Sequence, residues 1–161
     1  MKPKVRRSIL TLAILTSLAG GGLAYARLTG GAAAPAAEVS GWKGLSLADS
    51  EIVADKGPFH VEKVFPESLR AAAEGYRLEG YVVPVVPEPW MSTFILVEQP
   101  EDCPFCGSNQ AATVVEVHVA EPLPEMPQFA RIAVTGRLEF VEDPETMQMF
   151  RLMEAERLPL E

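Results

Sequence analysis

Cys103-Pro104-Phe105-Cys106 holds both cysteines of the chain, three positions apart. Joined, the pair forms a disulfide, a bond that persists in oxidising compartments and here would shape a strand-to-strand loop. Across so short a loop it acts mainly by fixing local geometry rather than through chain entropy. Reduced, the pair points two thiolates at one ion, either a soft one such as Cu(I) or, with two further ligands, zinc. The chain has two histidines, His60 and His118, so Cys103, Cys106, His118 and His60 make an arithmetically complete Cys2His2 set for zinc or copper. Glu101 and Asp102, next to the pair, would favour a cation and disfavour a free thiolate.

Redox catalysis is the third chemistry. Pro-Phe between the cysteines resembles the glutaredoxin active-site pattern, with Cys103 as attacking and Cys106 as resolving thiol. Such a site needs its first cysteine at a helix N-terminus, where the dipole stabilises the thiolate. Gly107-Ser-Asn-Gln-Ala-Ala112 follows instead, then an alternating valine strand, so no thioredoxin-type fold is expected. The simplest expectation is a structural pair.

Other residues carry weaker signals. Met147, Met149 and Met153 are read as core filler ahead of a copper cluster. Trp42 and Trp90 are read as covers for barrel ends ahead of sugar-stacking platforms. The acidic runs Glu98–Asp102 and Glu142–Glu145 match no calcium loop and read as solvated. No Ser/His/Asp set, phosphate loop or catalytic carboxylate pair stands in a recognisable frame.

The elements that position the cysteine loop follow from alternation and breakers. Strands are expected at 59–64, with Phe59 and Val61 on one face, and at 76–86, with Gly80 marking a bulge or barrel bend. Further strands are expected at 92–98, with Thr93, Ile95 and Val97 opposite Phe94 and Leu96, and at 113–119, with Val115, Val117 and Val119 inward and Glu116 and His118 outward. A last clear strand spans 129–141, with Gly136 at its middle. Pro66–Glu74 reads as a short helix with proline in its first turn. Segment 145–157 suits helix or strand; as a strand it would put Met149, Arg151, Met153 and Ala155 on one face. About five strands and one short helix predict a mainly β fold, a small OB-like barrel whose closure removes exposed edges, with a sandwich as the other arrangement.

Charge and the N-terminus supply the context. Residues 1–26 carry Lys2, Lys4, Arg6 and Arg7 and no acid, leaving 10 bases against 22 acids in the rest. An excess of that sign argues against nucleic-acid binding. A basic start, the apolar run Ser8–Leu18 and Ala24-Tyr25-Ala26 have the layout of a secretory signal, or of a membrane anchor if uncut. Residues 27–40 read as a flexible tether and 41–161 as the barrel domain. The expected location is periplasmic.

Trp42-Lys-Gly-Leu45, Gly80-Tyr81-Val-Val-Pro84, Phe94-Ile-Leu96, Cys103, Asn109-Gln110, Val115-Glu-Val117 and Gly136-Arg-Leu138 occur in that order. The series, over roughly 41–160, resembles an exported bacterial family, domain-of-unknown-function family 3299. In that family the cysteine is typically followed by a histidine and a proline-rich run; here the histidine is missing and Cys106 is gained. The resemblance implies an exported β-domain and favours a strand at 145–157. Together these readings describe an exported envelope accessory or binding protein. It would work beside a membrane-system partner and meet the membrane only through an uncut N-terminus. Metal handling is its candidate chemistry, and a periplasmic thiol–disulfide oxidoreductase is the alternative.

Overall fold

In the segment Tyr76–Pro84 every second side chain, Tyr76, Leu78 and Val82, is buried, which is the mark of a strand with one face on a core. The computed structural model describes residues 39–57, 59–86, 88–106 and 113–160. The expected signal segment and nearly all of the tether lie outside the described residues. In chain order the elements are α1 (Gly41–Leu45), β1 (Asp49–Ile52), β2 (Val61–Val64), α2 (Glu67–Ala71), β3 (Tyr76–Pro84), β4 (Trp90–Val97), β5 (Val114–Pro124), β6 (Arg131–Phe140) and β7 (Phe150–Leu158).

Strands β3 to β7 close into a five-stranded barrel in the order β3-β4-β5-β7-β6. All neighbours are antiparallel except β5 and β7. The mainly β, OB-like barrel expected from the sequence is the fold, and the sandwich is not. Strands β1 and β2 form a separate antiparallel pair. Inside the barrel, Leu78, Val82, Phe94, Leu96, Val115, Val117, Ile132, Val134, Leu138 and Leu152 share one core. Phe65, Phe140 and Phe150 pack edge-on within it at 5.1–6.1 Å between ring centres. Arg70 of α2 lies over Phe140, 4.9 Å from its centre, and pairs with Glu142 at 2.5 Å.

Closure depends on two glycines. A Cβ on Gly80 would sit 2.4 Å from the Val97 carbonyl oxygen, so β3 reaches β4 here only without a side chain. A Cβ on Gly136 would meet the Met153 carbonyl oxygen at 2.7 Å. Opposite Gly136, β7 carries an extra residue, with Glu154 at φ 53°, and the registers with both β5 and β6 shift there.

That bulge corrects the strand reading of 145–157. Phe150, Leu152 and Ala155 are buried, because the extra residue changes which side chains face inward. Phe59 is likewise not paired on a face with Val61: it precedes β2 and is exposed, while Val61 is buried. Residues 66–74 form a helix only over Glu67–Ala71, which ends at the C-cap Ala72, and the chain then turns at Gly75 with φ 62° into β3.

Candidate functional site

Cys103 and Cys106 are bonded, with their Cα atoms 5.4 Å apart. The bond follows from a tight local path. Gln99 and Asp102 cap each other across a single 3-10 turn, Pro100–Asp102. The Cys103 N–H donates to the Pro100 carbonyl at 3.3 Å, and the Cys106 N–H to the Cys103 carbonyl at 3.1 Å. Cys103 thus stands at the C-terminal end of a short turn, and among the described residues no helix begins at it to hold a thiolate.

The two sulfurs occupy different environments. Cys103 is wholly buried against Val83 and Val97, with Tyr81, Ile95, Val114 and Phe129 around them. Tyr81, Val83, Ile95 and Val97 belong to the outward faces of β3 and β4, Val114 opens β5 and Phe129 precedes β6, so the loop forms a small second core on the outside of the barrel. Cys106 is exposed, and Phe105 beside it is 70% exposed. If the pair exchanged with another thiol, Cys106 and not Cys103 would be the reachable sulfur, the reverse of the roles expected from the motif.

Neighbouring loops complete this side of the molecule. The Gln128 amide donates to Cys106 Sγ at 3.8 Å, and the Phe129 N–H donates to the Val82 carbonyl at 2.7 Å. The Glu125 N–H donates to the Pro89 carbonyl at 3.0 Å, and Trp90 pairs with Pro124. Segment 125–130 therefore ties the disulfide loop to the β3–β4 hairpin. Val85 and Val86 at that hairpin are half exposed and Trp90 is 61% exposed. Trp90 covers no barrel end. Trp42 does pack on the barrel, its indole N–H donating to the Glu79 carbonyl at 2.7 Å.

The histidines stand on other elements than this loop. His60 precedes β2, where its carbonyl accepts from the Val53 N–H at 2.8 Å. His118 stands on the outer face of β5 in a polar cluster that the sequence reading did not assemble. Its Nε2 is 2.7 Å from Glu116 Oε1, and its Nδ1 is 3.3 Å from Thr93 Oγ1, directly across on β4. Glu116 Oε2 accepts from Gln148 and, at 3.4 Å, from Arg151. Burial pushes the Glu116 carboxyl up, but the hydrogen bonds from Gln148, His118 and Arg151 and the His118 charge outweigh it, and the net shift is down.

The Lys63 ammonium donates to the carbonyls of Val141, Asp143 and Gln148 at 2.7–2.9 Å. The cluster and Lys63 together hold the β6–β7 connection against β5 and β2. The outward setting of Glu116 and His118 was legible from alternation. Thr93 and Gln148 were not, because cross-strand register and the loop path bring them in.

Of the expected metal set, the structure brings together Cys103 and Cys106 alone, as a disulfide. Among the described residues no group of three or more His, Cys, Asp or Glu could hold a metal ion. No family model matches this chain, and no curated protein or solved structure is found to be similar to it.

Proposed function

We propose that this chain is a non-catalytic binding module of an oxidising, extracytoplasmic compartment, in which the Cys103–Cys106 bond holds a recognition loop in place. The observation that carries this reading is the split setting of the pair: Cys103 is wholly buried in an apolar cluster while Phe105, at the tip of the same loop, points to solvent. A buried anchor beside an exposed aromatic suits a fixed platform, since preordered loops lose less entropy on binding. The export-signal layout of residues 1–26 and the persistence of disulfides outside the cytoplasm support the compartment. Membership of the exported family 3299 belongs to the same proposal and rests on the Gly80-Tyr81…Pro84 and Cys103…Asn109-Gln110 series.

In barrels of this type the face of the second and third strands and the adjoining loops carry ligands. By fold analogy these are β4, β5 and the β3–β4 hairpin here. The oxidoreductase alternative asks for an accessible attacking thiol; Cys103 is buried and directly follows a 3-10 turn. Native mass spectrometry of the exported protein, with the denatured mass alongside, tests the proposal. A chain short by two hydrogens and free of metal is expected. A reduced chain carrying one zinc or copper ion would replace it with metal handling.

A further inference from the structure

From residue 78 to residue 130 the sequence has no lysine or arginine and eight acids. That stretch builds β4, β5, the β3–β4 hairpin, the disulfide loop and segment 125–130. At the joined loops it exposes Val85, Val86, Trp90 and Phe105. Glu88, Glu98, Glu101, Glu121 and Glu125 on the same loops and strand ends are exposed as well. Arg131, just after the stretch, is paired with Glu79, Arg151 of β7 with Glu116, and Arg157 of β7 lines one hollow with Glu121. These loops therefore combine solvent-facing aromatic and aliphatic tips with an excess of negative charge.

From this combination we infer that residues 85–86, 88–90, 103–106 and 125–130 form a docking surface for a protein segment that carries apolar side chains flanked by lysine or arginine. The inference rests on the binding-module reading and specifies its partner. The chemistry selects among occupants. A second copy would bring the same acids against these and be repelled, and an anionic lipid surface would be repelled likewise. A basic, apolar segment satisfies both halves: Phe105 and Trp90 supply large rigid contact area, and the glutamates set orientation and speed of encounter. Val85 lies two residues, about 7 Å along an extended chain, beyond Val83, which Cys103 covers. The disulfide thus fixes Phe105 within reach of the hairpin.

The test uses the oxidised full chain and a synthetic amphipathic peptide of alternating lysine and leucine, with a glutamate-for-lysine peptide as its opposite. Trp90 reports by fluorescence, since Trp42 is half-buried and hydrogen-bonded. The lysine peptide is expected to shift the Trp90 emission to the blue. Its affinity should fall about tenfold between about 50 mM and about 300 mM salt, as exposed charges are screened. Phe105→Ser should weaken binding about tenfold, as loss of an aromatic anchor does, whereas Phe59→Ser, an exposed aromatic before β2 with the same net charge effect, should leave it unchanged.

Unchanged binding in Phe105→Ser would reduce the effect to general charge attraction, and equal losses in Phe105→Ser and Phe59→Ser to unspecific apolar adsorption; either overturns the inference, as would equal binding of the glutamate peptide. Self-association lost with Phe105→Ser, or binding to phosphatidylglycerol vesicles in preference to the peptide, would overturn it in favour of those occupants. A Cys103→Ala/Cys106→Ala chain separates the two proposals. Retained peptide binding there keeps the surface and removes the need for the staple. A stapled, stable chain that ignores the peptide removes the surface and keeps the staple.

Discussion

Replacing both cysteines by alanine should destabilise the domain by an amount that the loop itself sets. The closed loop counts four residues, both cysteines included, so the chain-entropy relation gives only about 2 kcal/mol, less than for a longer loop. Removing the Cys103 sulfur from its apolar site against Val83 and Val97 leaves a small cavity, which adds about 1 kcal/mol. A total near 3 kcal/mol corresponds to a melting point lower by about 10 °C in a domain of about 120 residues. Reduction of the unsubstituted chain breaks the bond and keeps both sulfurs, so it should lose only the first part, about 2 kcal/mol. Urea unfolding of the oxidised, reduced and doubly substituted chains, monitored by tryptophan fluorescence, orders the three. Identical midpoints for the oxidised and alanine chains would refute the staple argument. Identical midpoints for the reduced and alanine chains would refute the claim that Cys103 fills a buried apolar site.

Three further outcomes follow from the barrel and its surface. Gly80→Ala pushes a Cβ into the Val97 carbonyl and should cost at least about 2 kcal/mol, read by thermal unfolding. Burial pushes the Tyr76 hydroxyl, which donates to the Gly41 carbonyl at 2.7 Å, up to about 12 from 10.0. The unfolded chain ionises first, so stability is fully present below pH 10 and is lost as pH rises toward 12; Tyr76→Phe should flatten that alkaline limb of denaturant midpoints against pH. Glu116 is shifted the other way: burial raises it, yet its hydrogen bonds bring the net value below the usual 4.5. Its contribution is present above that value and lost as pH falls through the folded one, so Glu116→Gln should shallow the acid limb in the same measurement.

The barrel strands were legible because their inward positions alternate without interruption, as in Val115-Glu-Val117 and Phe94-Ile-Leu96. Gly80 was legible as a bulge or bend because a glycine within an apolar alternation suggests close backbone approach, whereas Gly136 was legible only as the middle of its strand. The last strand resisted the same reading since its bulge at Glu154 changes the inward parity between Leu152 and Ala155. Strand β1, Asp-Ser-Glu-Ile, buries little and carries no alternation, and the five residues of α1 are too few to show helical period. At the candidate site, Cys-x-x-Cys was plain, but which cysteine is buried depends on the outer faces of β3 and β4 that cover Cys103. The Thr93–His118–Glu116–Gln148 cluster needs the β4–β5 register and the path of the loop before β7, neither of which adjacent residues encode.

The most direct test of the central claim is catalysis of disulfide reduction in a protein substrate such as insulin, with dithiothreitol as electron source. A fixed, half-buried staple predicts the same rate with and without the oxidised chain. Acceleration that disappears in Cys106→Ala would contradict the account and make the pair a redox site.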